Sequence, residues 1–503
     1  MPNTVDFNGR PFHFIGIGGI GMSALAYILT QRNIPVSGSD LRLTHITRRL
    51  QEAGARIFWQ QEAANLRYFL ADCSGSWPKA EGHSSTLQDA TPQVVCSTAI
   101  HDQNPEYQAA LEMGCPVFHR SDVLAGLISA YRSVAVAGTH GKTTTSSMIA
   151  HMLLQAGLDP TIVVGGEVPS WGGNARLGQG PYLVAEADES DGTLAKLSAA
   201  IGVVTNIELD HTDHYRDLQS VVNIFQTFQQ QCELLVASLD CEVVRTSLNP
   251  TITYSLQPHL GATYFVTDVQ FHSTGTVATV WERNQPLGLL SLGVLGQHNL
   301  SNALAAIAVG RHLELSFAQI ADSLGQFCGA RRRFEHRGSY GGIQFVDDYA
   351  HHPSEIRATL AAARLRIGQS STIAARSVGT RNYEDRRVVA VFQPHRFSRT
   401  AALLQDFADA FSDADQVIMA DIYSAGETNV YGVSGKQVAD AVAHRHGEVV
   451  YGHTLEDVQA ALTSSLRPGD LVLFMGAGNL NQIIPQVMAY YAEAEVPSLQ
   501  EAC

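Results

Sequence analysis

Twice the chain runs from a short apolar stretch through closely spaced glycines straight into a helical pattern: HFIGIGGIGMSALAYIL over 13–29 and YRSVAVAGTHGKTTTSSMIAHMLLQAG over 131–157. A strand that becomes a helix at a glycine loop opens a βαβ crossover, so each junction calls for a parallel sheet covered by helices. The surrounding runs keep that alternation. In the first stretch HFIGIG, IPVSGSD, RIF, QVVCSTAI and PVFHR read as strands, with a helix over 21–32. Further on, PYLVAEAD, AIGVVTNI and ELLVASL precede a β-rich stretch over 252–294 and a helix from Asn299 to about Leu313. From 331, IQFVDDYA, RVVAVFQP, QVIMADIY, GEVVYGH and DLVLFMGAG alternate with amphipathic helices and read as another parallel sheet. At roughly 150 residues per domain, 503 residues make three. The expected class is α/β, with units over 1–131, 132–330 and 331–503. The polar stretches 73–92 and 368–386 read as solvent-facing insertions.

Composition narrows the setting. No apolar run approaches the roughly 20 residues that span a bilayer, which predicts no membrane insertion. The start, MPNTVDFNGRPF, lacks signal-peptide form. The cysteines Cys73, Cys96, Cys115, Cys232, Cys241, Cys328 and Cys503 show no CxxC spacing, which argues against a zinc site or a disulfide framework and for a reducing, cytoplasmic compartment. A net charge of −15 argues against a nucleic-acid surface, so anionic ligands need local devices. Lysine occurs only as Lys79, Lys142, Lys196 and Lys436, and Lys142 sits inside a glycine loop.

That loop, GTHGKTTT, carries phosphate chemistry: backbone N–H groups and a helix start cradle oxygens, Lys142 reaches the β and γ phosphates, and the Thr143 hydroxyl suits Mg2+. It is a variant phosphate loop, with Val136 where the usual pattern has glycine. The acidic runs AEADESDG and TNIELDHTDHY end the next strands and offer hard oxygen ligands. In GQHNLSNALAAIAV, His298, Asn299 and Asn302 either cap a helix or read the edge of a flat heterocycle. RRRFEHRG is a basic cluster that also reads as an exposed charged turn, and DDYAHHPSEI and FQPHRFSRT follow apolar strands, where open α/β sheets place ligands. The opening GxGxxG of Gly16, Gly18 and Gly21, with Asp40 nineteen residues on, is compatible with a nicotinamide dinucleotide but specifies only a turn and a helix start open to an anion. Gly21 is expected to let helix and strand pack closely.

In this order, GIGGIGMSALA, GTHGKTTT, EADESD, TNIELDHTDHY, GQHNLSNALAA, RRFE, DDYAHHPSEI and FQPHRFSRT resemble the Mur ligase family over nearly the whole chain. The resemblance implies a Rossmann-like N-terminal domain for a UDP-sugar, a central P-loop ATPase-type domain and a Rossmann-like C-terminal domain that closes over both. The implied activity is an ATP-dependent ligase joining L-alanine to the lactyl carboxylate of UDP-N-acetylmuramic acid through an acyl phosphate, with Mg2+, in peptidoglycan precursor synthesis. A murein peptide ligase acting on the same UDP-sugar and a nicotinamide-dependent oxidoreductase stay open as alternatives.

Carried over by motif position, Gly16, Gly18, Gly19, Gly21, Met22, Ser23 and Asp40 would hold the UDP-sugar. Gly138, Thr139, His140, Gly141, Lys142, Thr143 and Thr144 would bind ATP phosphates, Asn299 and Asn302 the adenine, and Arg333 and Asp348 the nucleotide from the third domain. Thr143, Glu189 and His211 would ligate magnesium, and Tyr349, His351, Arg396 and Arg399 would face the lactyl carboxylate and the amino acid. The chemistry would then fall to Lys142, Glu189, His211, Arg333 and His351. Loss of the Lys142 side chain is expected to stop ligation and leave the fold intact, as befits a loop lysine. Relatives that carry a carbamoylated lysine downstream of this histidine imply a group that cannot form here, since no lysine lies between Lys196 and Lys436.

Overall fold

The computed structural model describes residues 4–71, 91–368 and 386–494. Apart from residues 91, 92, 368 and 386, the two expected insertions lie outside them. Three sheets form. The first takes strands β1 (Phe12–Ile15), β2 (Val36–Ser39), β3 (Arg56–Phe58), β4 (Gln93–Cys96) and β5 (Val117–His119), all parallel, in the order β3-β2-β1-β4-β5. Strand order reverses between β1 and β4, which opens a crevice at the C-terminal end of β1 beneath its glycine loop.

The second sheet comprises β6 (Arg132–Ala137), β7 (Thr161–Val168), β8 (Gly173–Arg176), β9 (Tyr182–Glu186), β10 (Ile201–Val204), β11 (Leu234–Ser238), β12 (Ile252–Ser255), β13 (Tyr264–His272), β14 (Gly275–Glu282) and β15 (Gln285–Leu292). Their order is β15-β14-β13-β12-β11-β10-β6-β9-β7-β8. The run from β13 to β7 is parallel, whereas β8, β14 and β15 add antiparallel margins. Strand β6 shows why its last four residues are apolar: Val134 and Val136 pack on one face and Ala135 and Ala137 on the other, all fully buried. The phosphate-loop helix Lys142–Gln155 packs against the helix Gln297–His312, whose fully buried Ala303, Ala305, Ala306 and Ala308 allow close approach. Loops after β6, β9 and β10, three adjacent strands, therefore meet at one edge.

The third sheet comprises β16 (Glu335–Tyr340), β17 (Ile343–Asp348), β18 (Val388–Phe392), β19 (Gln416–Ala420), β20 (Val449–Gly452) and β21 (Leu471–Met475), in the order β16-β17-β21-β18-β19-β20. It departs from the expected all-parallel sheet at β16, which pairs antiparallel with β17. The basic cluster RRRFEHRG runs into this strand and hid it: EHRGSY carries no apolar alternation, because an edge strand exposes much of its surface. DDYAHHPSEI and FQPHRFSRT leave β17 and β18 on either side of β21, so both reach the same crevice. No helix among the described residues is long and apolar enough to cross a membrane.

Candidate active site

The phosphate loop depends on two glycines. Gly138 has φ +135°, and a Cβ there would lie 2.0 Å from Thr205 Oγ1. Gly141, at φ +81°, starts the helix Lys142–Gln155 and would clash with Asn302 Oδ1 at 2.7 Å. The helix N-terminus stays open to an anion. Lys142 sits in the expected loop, but it is not a loop lysine free of stabilising contacts. Its side chain is 14% exposed, and Nζ donates to the carbonyls of Gly138 (2.7 Å) and Thr139 (3.1 Å) and to Glu189 Oε1 and Oε2 (3.0 and 2.9 Å). Burial alone would lower its pKa, but Glu189, Asp188 and Glu186 overcome that and hold the ammonium charged. Burial likewise pushes the Glu189 carboxyl above the usual carboxylate range against the pull of Lys142.

Asp188, Glu189 and His211 offer ligand atoms within 4.8 Å of one another. His211 reaches this position with φ +51°, its Nε2 4.0 Å from Glu189 Oε1. Burial lowers its pKa, so the imidazole is neutral and keeps a lone pair. Two carboxylates and one neutral imidazole fit a hard divalent ion that retains water. Sequence reasoning missed Asp188, although it neighbours Glu189. The buried Thr143 hydroxyl accepts from Arg333 Nη2 at 3.3 Å, which links the third sheet's approach loop to the phosphate loop.

A cavity of about 240 Å³ adjoins the loop, lined by Gly141, Thr144, Asn299, Asn302, Arg333 and Asp348 among others. The two asparagines do not cap their helix; Gly296 does, without a side-chain bond. Asn299 Nδ2 donates to Leu295 O (2.7 Å) and Asn302 Nδ2 to Asn299 Oδ1 (3.3 Å), a chain of amides along the wall. Asp348 spends its oxygens on the backbone, accepting from Phe334 N and Ala350 N at 2.7 Å each, so it shapes both loops as well as lining the cavity. Burial pushes its carboxyl up to about 6.

A larger cavity, about 890 Å³, joins all three sheets. Gly19, Gly21 and Met22 line it from the first, Lys142, Thr143, Asp188 and His211 from the second, and Tyr349, His351, Arg396 and Arg399 from the third. Arg399, 3% exposed, donates from Nε to the buried Asp210 at 2.7 Å, and Arg396 pairs with Asp213 (2.8 Å) and Glu427 (3.2 Å). His351 donates from Nδ1 to Tyr349 O (2.9 Å), which leaves Nε2 unprotonated; burial pushes its pKa down to about 4. Glu355, which sequence reasoning also missed, lies 3.3 Å from His351 Nδ1, 3.2 Å from His140 Nδ1 and 4.0 Å from Arg333. Despite burial, His351, His140 and Arg333 hold its carboxyl well below the usual range.

Several expected UDP-sugar residues do not line this cavity. Asp40 Oδ2 accepts the Gly18 N–H at 2.8 Å, so this carboxylate takes up the donor an anion would use. Ser23 Oγ donates to Ile20 O and accepts from Asn174 Nδ2, tying the first unit's helix to β8. Gly16, at φ +77°, makes the turn itself. Gly21 does not serve close helix–strand packing: a Cβ there would meet only Arg120, at 3.6 Å, and its value lies in leaving the cavity wall open.

A phosphate loop, a carboxylate–imidazole ion cluster and two guanidinium groups in one interdomain cavity define an ATP-dependent ligase. Family models agree: the Mur ligase catalytic domain matches 11–132, the middle domain 136–310 and the glutamate ligase domain 332–478, and the chain belongs to the Mur ligase family. It is 58% identical over 504 residues to the UDP-N-acetylmuramate--L-alanine ligase of Gloeothece citriformis, covering 97% of this chain and 99% of that one. With the Nostoc punctiforme protein of the same name it shares 59% over 495 residues, 98% and 99% of the two chains. The crystal structure of a UDP-N-acetylmuramate-alanine ligase from Thermotoga maritima superposes with TM-score 0.77 at 28% identity, covering 96% of this chain and 100% of that one.

Proposed function

We propose that this chain forms the amide between the lactyl carboxylate of UDP-N-acetylmuramic acid and L-alanine, with ATP converted to ADP and phosphate. The observation that carries the reading is the likeness, over nearly the full length of both chains, to relatives bearing that name. The site supplies the chemistry. A carboxylate oxygen attacks the γ-phosphorus and ADP leaves; the amine then attacks the acyl carbon and phosphate leaves. Lys142 and the helix N-terminus offset phosphoryl charge, Arg333 approaches from the third domain, and Asn299 and Asn302 face the adenine. Glu189, Asp188, His211 and the Thr143 hydroxyl would hold Mg2+, which supplies Lewis-acid neutralisation of phosphate charge. Arg396 and Arg399 hold the two carboxylates, while His351 Nε2 faces the amine. Residues 1–131 would carry the UDP-sugar, 132–330 ATP and 331–503 the amino acid, in the cytoplasm where ATP is supplied.

Purified protein tests this through phosphate release coupled to a colour reaction. Release should need ATP, UDP-N-acetylmuramic acid and L-alanine together. Release with a tripeptide in place of L-alanine, and none with L-alanine, overturns the reading in favour of a peptide ligase.

A further inference from the structure

Beside the phosphate loop, on the far side of Glu355, two histidines and a carboxylate come together from distant parts of the chain. His140 belongs to the phosphate loop, Glu208 follows β10, and His352 precedes the helix Pro353–Arg366 of the third unit. The three residues offer donor atoms within 4.8 Å of one another. Glu208 Oε2 lies 3.6 Å from His140 Nε2 and 3.8 Å from His352 Nδ1, and the imidazole centroids are 4.6 Å apart. Tetrahedral bonds of zinc to nitrogen or oxygen put neighbouring ligand atoms about 3.4 Å apart, so small side-chain rotations suffice.

We propose that His140, His352 and Glu208 form a binding site for a zinc-class transition-metal ion, separate from the magnesium cluster at Glu189 and His211, that ties the central unit to the third. Three observations support it beyond proximity. Among the described residues His140 Nε2 is buried without a hydrogen bond, its near neighbour Glu208 Oε2 standing 3.6 Å away, while its Nδ1 lies 3.2 Å from Glu355 Oε1, the arrangement in which a carboxylate orients a ligating imidazole. Ser354 Oγ donates to Glu208 Oε2 at 2.6 Å and so fixes the carboxylate. Among the described residues His352 Nδ1 accepts one long bond, 3.3 Å from Ser354 N at the start of the helix Pro353–Arg366, which a metal can replace. Two imidazoles and one carboxylate favour zinc over magnesium, which prefers oxygen ligands and water. The ion takes the place of the proton on His140 Nε2, and a fourth position faces the smaller cavity, which His140 and Glu208 both line.

The test is equilibrium dialysis of the full chain against zinc with magnesium in excess, followed by metal analysis. The wild type should retain one zinc that His352→Gln loses, that Glu355→Gln holds about tenfold to a hundredfold more weakly, and that His211→Ala keeps. Equal zinc in wild type and His352→Gln, or loss of the zinc in His211→Ala instead, overturns the site. Cobalt added to the wild type gives a check that needs no variant. Intense visible bands of tetrahedral Co2+ are expected, and only the weak bands of an octahedral ion would contradict the proposal.

Discussion

Replacing Lys142 with Met removes the ammonium that Glu189 contacts and leaves that carboxylate, 2% exposed, beside Asp188. Four hydrogen bonds from Nζ vanish with it, two of them to the carboxylate. For a solvent-exposed pair the loss would be about 0–1 kcal/mol. Stranding one partner of a buried pair costs about 3–5 kcal/mol. At 2–4 °C per kcal/mol for a unit of this size, the melting midpoint should fall by roughly 10 °C in magnesium-free buffer. The double variant Lys142→Met/Glu189→Gln removes both charges and should recover most of that stability, because no buried charge is stranded. Turnover should recover in neither, since the ammonium faces the phosphates. Melting curves and coupled phosphate release on the three proteins decide the matter. A single variant that melts like the wild type, or a double variant no more stable than the single, refutes the buried-pair reasoning; near-normal turnover in either refutes the assignment of Lys142 to phosphoryl transfer.

Gly18→Val puts a Cβ 2.6 Å from Asp40 Oδ2 and 3.0 Å from Thr47 Cγ2, so the opening loop must shift. Affinity for the UDP-sugar should drop at least about tenfold, a cost of 1.4 kcal/mol or more, with ATP affinity unchanged by calorimetry; weakened ATP binding would place the loop wrongly. Burial pushes His298 and His351 down to about 4 and His395 to about 3, from an ordinary 6.5. Depressed pKa values contribute stability that is fully present above pH 6.5 and is lost as pH falls toward 4 and 3. Unfolding should therefore take up close to three protons from these groups near about pH 5, read from urea midpoints against pH; a flat profile there contradicts their burial as neutral rings. Because no lysine lies between Lys196 and Lys436, turnover should be indifferent to bicarbonate-free, degassed buffer. A fall that added bicarbonate reverses would mean that a carbamate forms elsewhere. His211→Ala should lose turnover more than ATP affinity, as measured by steady-state kinetics beside calorimetry; equal losses would remove His211 from the reacting phosphate.

The sequence alone determined the three-sheet α/β plan, because strands buried on both faces leave uninterrupted apolar runs, as Val134 to Ala137 does, and helix starts follow them at glycine loops. It also determined where the ligand loops fall, since in parallel sheets they follow the C-terminal ends of strands. Antiparallel margins such as β16 escaped it, for an exposed edge needs no apolar pattern. What only the tertiary structure decided is which charges meet. Arg399 and Asp210 are 189 positions apart, Ser354 and Glu208 146, and Arg333 and Thr143 190. Nothing in local periodicity encodes such pairs. Lys142 reads as a loop ligand for phosphate until the loop after β9 brings Glu189 against it, and Asp40 reads as a UDP-sugar ligand until the turn presents the Gly18 N–H. Side-chain chemistry is written residue by residue, but burial, and with it the charge a carboxylate or imidazole carries, is set by what the packed units exclude from water.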